Sequence, residues 1–192
     1  ALGATSAPGM RGGDRLVLRL DAVPAQNRLD LDVGLQGPGN GFLAGMLGID
    51  RPIAARVEGR GDWANWHGKA RALLDGRGLA DLNLTARNGT FTIQGPLRPG
   101  LLMQGPVERL AGPVTLVNLV TTLEDRRADL RLRMSSAALA VAAEGLVDLG
   151  RNRFENLRVA ARLLQPGAIA PGLSGRDVQV AMILNRAFAT PG

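Results

Sequence analysis

Arg28-Leu29-Asp30-Leu31-Asp32-Val33-Gly34-Leu35 alternates aliphatic with charged or small residues, and this stretch decides the fold class. A period of two places every second side chain on the same face of an extended strand. Leu29, Leu31, Val33 and Leu35 therefore share one face, while Arg28, Asp30 and Asp32 share the other. The rhythm recurs at Leu16, Leu18 and Leu20, at Ile53, Ala55 and Val57, at Leu82, Leu84 and Ala86, and at Leu130, Leu132 and Met134. Phe91 and Ile93 continue it beyond Asn88-Gly89, a dipeptide suited to two-residue hairpin turns.

The intervals between strands carry turn chemistry. Pro24 to Gln26, Asp75-Gly76, Asp125-Arg126-Arg127, Ser135-Ser136 and Arg151-Asn152-Arg153 each separate two extended runs. Residues 114–123 are more uniformly apolar and read as a strand covered on both faces. After Gly37-Pro38-Gly39, Phe42, Leu43, Met46 and Leu47 recur at helical spacing, with Asn40 as N-cap and Gly48 as stop. A helix this short persists only when packed on the sheet. Residues 95–113, rich in Pro and Gly, read as a connector, and residues 178–182 open a last strand. Ala80-Asp81-Leu82-Asn83-Leu84 is echoed by Ala128-Asp129-Leu130-Arg131-Leu132, as if like units were added along the chain.

The expected architecture is all-β: an elongated, curled antiparallel sheet, a β-groove built from hairpins, with one short helix near residues 41–47. Residues 1–13 read as a flexible lead-in. Residues 14–192 read as a single groove section of a larger protein, with sub-units 14–95 and 114–192 joined by the connector. The start has neither the basic region nor the apolar core of a signal peptide, and reads as the beginning of an excised section.

Composition narrows the function classes. The net charge is +6, yet arginines are interleaved with acids along the polar phase of the strands, as on a solvated sheet face. Nucleic-acid binding calls for clustered basic residues with aromatics between them, and aromatics are 3% of the chain; no nucleic-acid partner is expected. There is no cysteine, and one histidine cannot begin a metal site, so neither metal nor cofactor is expected. No run approaches the roughly 20 apolar residues that span a bilayer. The absence of tyrosine disfavours a membrane barrel with aromatic girdles.

His67, within Asp62-Trp63-Ala64-Asn65-Trp66-His67-Gly68, invites an Asp–His dyad, but Ser6, Ser135, Ser136 and Ser174 lie in no nucleophile-elbow context. His67 reads as a solvent-facing residue, and Trp63 and Trp66 as cover for the sheet edge with their N–H groups toward water. Gly59-Arg60-Gly61 lacks the Lys and Ser/Thr of a phosphate loop. The chain is not expected to be an enzyme. What remains is the aliphatic face, which a barrel, a second sheet or a groove filled by something else must hide. A lining of Leu, Val and Ala with four Phe and two Trp points to the filled groove.

Several phrases resemble a known family. Residues 57–63 leading to Trp66-His67-Gly68, then residues 82–86 and 88–91, the segments 40–44 and 46–48, and Gly175-Arg176-Asp177-Val178-Gln179-Val180 are similar to the TamB branch of the AsmA-like proteins. The likeness runs from about Asp14 to Pro191. It implies a long β-groove anchored in the inner membrane of a Gram-negative bacterium and crossing the periplasm. The family is linked to phospholipid transport toward the outer membrane and, with a barrel partner of the TamA type, to outer-membrane protein assembly. On this reading phospholipid acyl chains would lie against Leu29, Leu31, Val33, Leu35, Leu82, Leu84, Phe91, Ile93, Leu130, Leu132 and Met134, with nearby arginines reaching headgroup phosphates. Neighbouring sections of the same protein would flank this one, and the barrel partner would be met through other regions. The alternative is a chaperone module that adds a client β-strand to a sheet edge.

Overall fold

The computed structural model describes residues 2–5, 13–46, 48–169, 172 and 178–185. It is all-β and antiparallel. The chain divides at Asn88/Gly89 into two compact units.

The first unit contains β1 (Leu2–Thr5), β2 (Arg15–Val23), β3 (Arg28–Gly37), α1 (Phe42–Met46), β4 (Ile53–Gly61), β5 (Asn65–Leu74) and β6 (Arg77–Arg87). Each strand pairs antiparallel with the next in chain order. The second unit repeats this plan with β7 (Thr90–Leu97), α2 (Pro106–Ala111), β8 (Thr115–Glu124), β9 (Arg127–Ser135), β10 (Leu139–Asp148), β11 (Arg153–Leu163) and β12 (Val178–Leu184). Its strands also pair in sequence order.

The expected curl is absent, and each meander is open and uncurled. Curling a sheet needs bulges or glycine kinks at repeated positions. Each meander has one register break, at Ala72/Leu73 in the first and at Glu144/Leu146 in the second. The 1–13 lead-in is corrected in part: Leu2–Thr5 is a strand against β2, with Leu2 opposite Leu18 and Thr5 opposite Arg15. An edge of unpaired N–H and C=O groups accepts any extended segment, so absent side-chain alternation did not exclude pairing. Gly175, Arg176, Asp177, Leu47, Ser6 and Ser174 lie outside the described residues.

The helix near residues 41–47 is α1, and the acceptor at its first turn comes from far away in sequence. The Leu43 amide donates to Asp14 Oδ2 at 3.1 Å. The connector holds a 3-10 turn (Pro99–Leu101) and a second helix, α2, with Pro106 at its first position, where the missing N–H costs nothing. Ser136 Oγ ties α2 to the sheet by donating to Leu110 O while accepting from the amides of Ala138 and Leu139. Thr115 Oγ1 donates to Ala111 O, and Arg109 donates to the carbonyls of Ala168 and Ile169.

Helix-bearing connections follow β3 and β7, and a 3-10 turn at Pro166–Ala168 follows β11, so long connections recur after every fourth strand. The sequence echo between β6 and β9 does not mark this period, because β6 is the third strand after one long connection and β9 the second after the next. β8, expected to be covered on both faces, is not: Leu116 is 57% exposed and Leu123 44%.

Candidate functional site

Register turns the alternation into a surface. In an antiparallel pair, residues directly opposite each other share a face. Leu18, Val33, Val57, Ala70 and Leu82 lie opposite one another in turn across β2 to β6. The flanking rows are Leu16-Leu35-Ala55-Ala72-Ala80 and Leu20-Leu31-Gly59-Gly68-Leu84. Leu29 begins a further row with Ala22, Gly61, Trp66 and Ala86. All six of the expected lining residues in this unit, Leu29, Leu31, Val33, Leu35, Leu82 and Leu84, therefore share one face.

The second unit has its own such face. Ile93, Leu119, Leu132, Ala143, Val159 and Met182 form one row across β7 to β12. Gly95, Val117, Met134, Val141, Ala161 and Val180 form the next, and Phe91 lies opposite Thr121, which lies opposite Leu130. The five expected residues here, Phe91, Ile93, Leu130, Leu132 and Met134, share that face.

Neither face is sealed by a second layer among the described residues. The buried hydrophobic side chains are few (Ala44, Leu74, Ala138, Ala143, Leu157, Leu163), and Leu74 is the one large side chain fully enclosed. The lining residues are half-buried, apart from exposed Phe91. A half-buried aliphatic face of this extent resembles a binding surface more than a core.

Trp66 belongs to this face and corrects the expectation that it covers an edge. Its indole lies over the two-glycine stretch of one row: a Cβ on Gly59 would come 2.1 Å from Trp66 Cζ2, and one on Gly68 2.6 Å from Cη2. Its Nε1 is buried without a hydrogen-bond partner. Sharing a phase with Gly68 and Ala70 was the signal for this placement. Trp63 is exposed in the turn, as is His67 on the charged face. Asp62 is committed to the turn, its Oδ1 accepting from the amides of Ala64 (2.7 Å) and Asn65 (2.6 Å).

The strand arginines on the polar phase lie on the opposite face, and several of them are paired with acids there, away from the lining. Arg56 grips Asp32 through Nε (3.0 Å) and Nη2 (3.1 Å), and also pairs with Glu58. Arg19 meets Asp32, and Arg71 bridges Glu58 and Asp81. The Asp32 hydrogen bond, then the charges of Asp32 and Glu58, raise the Arg56 pKa above its ordinary value. Arg28 pairs with Asp21. In the second unit Arg131 pairs with Asp129 and Arg158 with Glu144. Exposed pairs of this kind add little stability individually, but they keep charge on one side of the sheet.

Open hollows lie on the charged side, among them one of about 460 Å³ beside Gly34 and Ala54 and one of about 650 Å³ over Ala142, Ala160 and Ala181. Both arise where small residues interrupt taller ones. No group of three or more potential ligands able to hold a metal occurs among the described residues. No helix among them is long and apolar enough to cross a membrane. No family model, curated protein or solved structure matches the chain.

Proposed function

We propose that the aliphatic sheet faces contact phospholipid acyl chains, and that the chain is a periplasmic section of a TamB/AsmA-like protein serving lipid movement toward the outer membrane. The observation that carries this reading is the apolar face from β2 to β6, with two rows aliphatic throughout (Leu18 to Leu82 and Leu16 to Ala80), left largely half-exposed. Water contact with acyl chains costs about 0.8 kcal/mol per CH₂, so even a partial aliphatic cover strongly favours the shielded chain. Leu, Val and Ala form a smooth surface without directional groups, which suits a ligand that must be held and released at any point along its length. The mechanism is passive: aliphatic contacts replace those of the bilayer, and no bond is made or broken. The charged face, where several arginines pair with acids, keeps the other side of the sheet in water.

The test is site-specific photo-crosslinking in the periplasm. Crosslinkers at Leu31 and Leu84 are expected to capture phospholipid, identified by mass spectrometry, whereas those at Asp30 and Asn83, on the opposite face, are not. Labelling of protein alone at all four positions would overturn the reading.

A further inference from the structure

In the first unit, Trp66 lies in a trough that runs along two strands. On the apolar phase β4 offers Ala55, Val57 and Gly59, and β5 offers Ala72, Ala70 and Gly68 opposite them in turn. The strands on either side carry bulkier residues there, Leu31 and Leu35 on β3 and Leu82 and Leu84 on β6. The β4–β5 pair is therefore a low floor between aliphatic walls whose backbones are three strand spacings, about 14 Å, apart. One end is closed. Gly37, Ile53 and Leu74 form its last row, Leu74 is fully buried, and Leu43 of α1 lies over Gly37. At the other end the Trp66 indole lies down over Gly59 and Gly68. The three atoms nearest to a Cβ added at Gly59 all belong to the indole, and the φ of Gly59 is not positive, so what this glycine supplies is room for a ring. The fit fails in one respect. Nε1 is buried without an acceptor, so the indole forgoes the hydrogen bond that water would give it outside.

We infer that Trp66 is a displaceable plug in a slot for one hydrocarbon chain: an acyl chain lying along β4 and β5 takes the indole's seat, and the released N–H regains an acceptor. The occupant rests on the lipid reading above, and the slot itself argues for it. No charged residue stands on the floor, and the backbone groups of β4 and β5 are taken up on both sides by neighbouring strands, so a peptide finds no hydrogen-bond partner there. From Gly59 to Ile53 the floor runs about 20 Å at the rise of a strand, long and narrow as an extended acyl chain is. The indole, an apolar body with one polar atom, is the intramolecular stand-in. Its displacement exchanges one apolar filling for another, and the recovered hydrogen bond favours the exchange.

The chain has two tryptophans, so Trp63→Phe, in the exposed turn, leaves Trp66 as the sole fluorophore. The probe is a monoacyl phosphatidylcholine added to the full chain below its micellar concentration. Iodide quenching of Trp66 is expected to be weak in the free chain and to rise several-fold when the lipid binds. Trp66→Ala, which vacates the seat, is expected to bind the probe about tenfold more tightly than the parent in titration calorimetry. Adding Gly59→Leu to that variant refills the seat and should abolish the gain. Unchanged quenching with the lipid bound would overturn the plug and leave the lipid reading standing. The same holds if Trp66→Ala, with an unchanged far-UV spectrum, binds no more tightly than the parent. If Trp66→Ala does not fold, the quenching measurement decides alone. Failure of the parent and of folded Trp66→Ala alike to bind the probe would overturn the plug together with the lipid reading.

Discussion

Gly59 and Trp66 show how a single atom shapes the apolar face. With a hypothetical Cβ only 2.1 Å from the indole, Gly59→Ala must displace Trp66. The expected cost is about 1–3 kcal/mol, the usual range for overpacking. Urea denaturation followed by tryptophan fluorescence measures it, and combining Gly59→Ala with Trp66→Ala should remove most of the clash, giving a clearly non-additive cycle. Asp148 is the complementary case on the polar side. It is 5% exposed, and its Oδ1 accepts from the amides of Gly150 and Arg151, both at 2.9 Å, with Arg127 and Arg151 nearby. The Arg151 amide hydrogen bond first, then that of Gly150 and the arginine charges, hold its pKa below the ordinary carboxylate value against opposing desolvation. A carboxylate with a depressed folded pKa stabilises above its unfolded pKa, and that contribution is lost as pH falls through the folded value. Asp148→Asn is therefore expected to be less stable than the parent near pH 7, with the gap narrowing as pH is lowered below about 4. A gap independent of pH would show that the charge at Asp148 plays no part.

At the scale of the element, the strands obey their alternation except where a bulge re-phases them. In β11 the interval from Phe154 to Leu157 is odd, yet Phe154 lies opposite Val147 and Leu157 opposite Leu184, both on the apolar face. The bulge opposite Gly145 absorbs the extra residue, with Asn156 left-handed at φ 50°. Asn tolerates that conformation and β-branched residues do not. Asn156→Val is expected to cost roughly 1–3 kcal/mol, and Asn156→Gly little, measured as shifts in thermal midpoint. The helices illustrate the opposite limit of legibility. The recurrence of Phe42, Leu43 and Met46 marks α1 in the sequence, but its Asp14 acceptor lies 29 residues away and is invisible to local spacing. α2 hid among prolines and glycines that read as a connector, although Pro106 and Glu108 in its first turn are ordinary helix-start residues.

For the whole molecule, the aliphatic faces left half-exposed have a thermodynamic signature. Unfolding a globular domain raises heat capacity by about 12–15 cal/mol/K per residue, chiefly through newly exposed apolar surface. A chain whose folded state already shows much of that surface to water is expected to fall below this range in calorimetry. Binding of phospholipid or a mild detergent to the folded state alone should raise the thermal midpoint. A heat-capacity change within the globular range, with no shift on adding lipid, would mean that the faces are covered in solution.

Local covalent order was enough to determine the strands and the division of each into an aliphatic and a charged side. The reason is geometric: side-chain direction in an extended chain alternates by residue, so Leu29, Leu31, Val33 and Leu35 share a face whatever they pair with. Sequence also located the tight turns, because Asn88-Gly89 and Asp75-Gly76 supply the positive φ that such turns require. Only the tertiary structure decided which strands lie side by side, that the sheets stay open, that Trp66 lies over Gly59 and Gly68, and which acids partner arginines such as Arg56 and Arg71 on the charged face. Those features depend on register between segments distant in the chain, and register is set by pairing across the sheet, not by the alternation within any one strand.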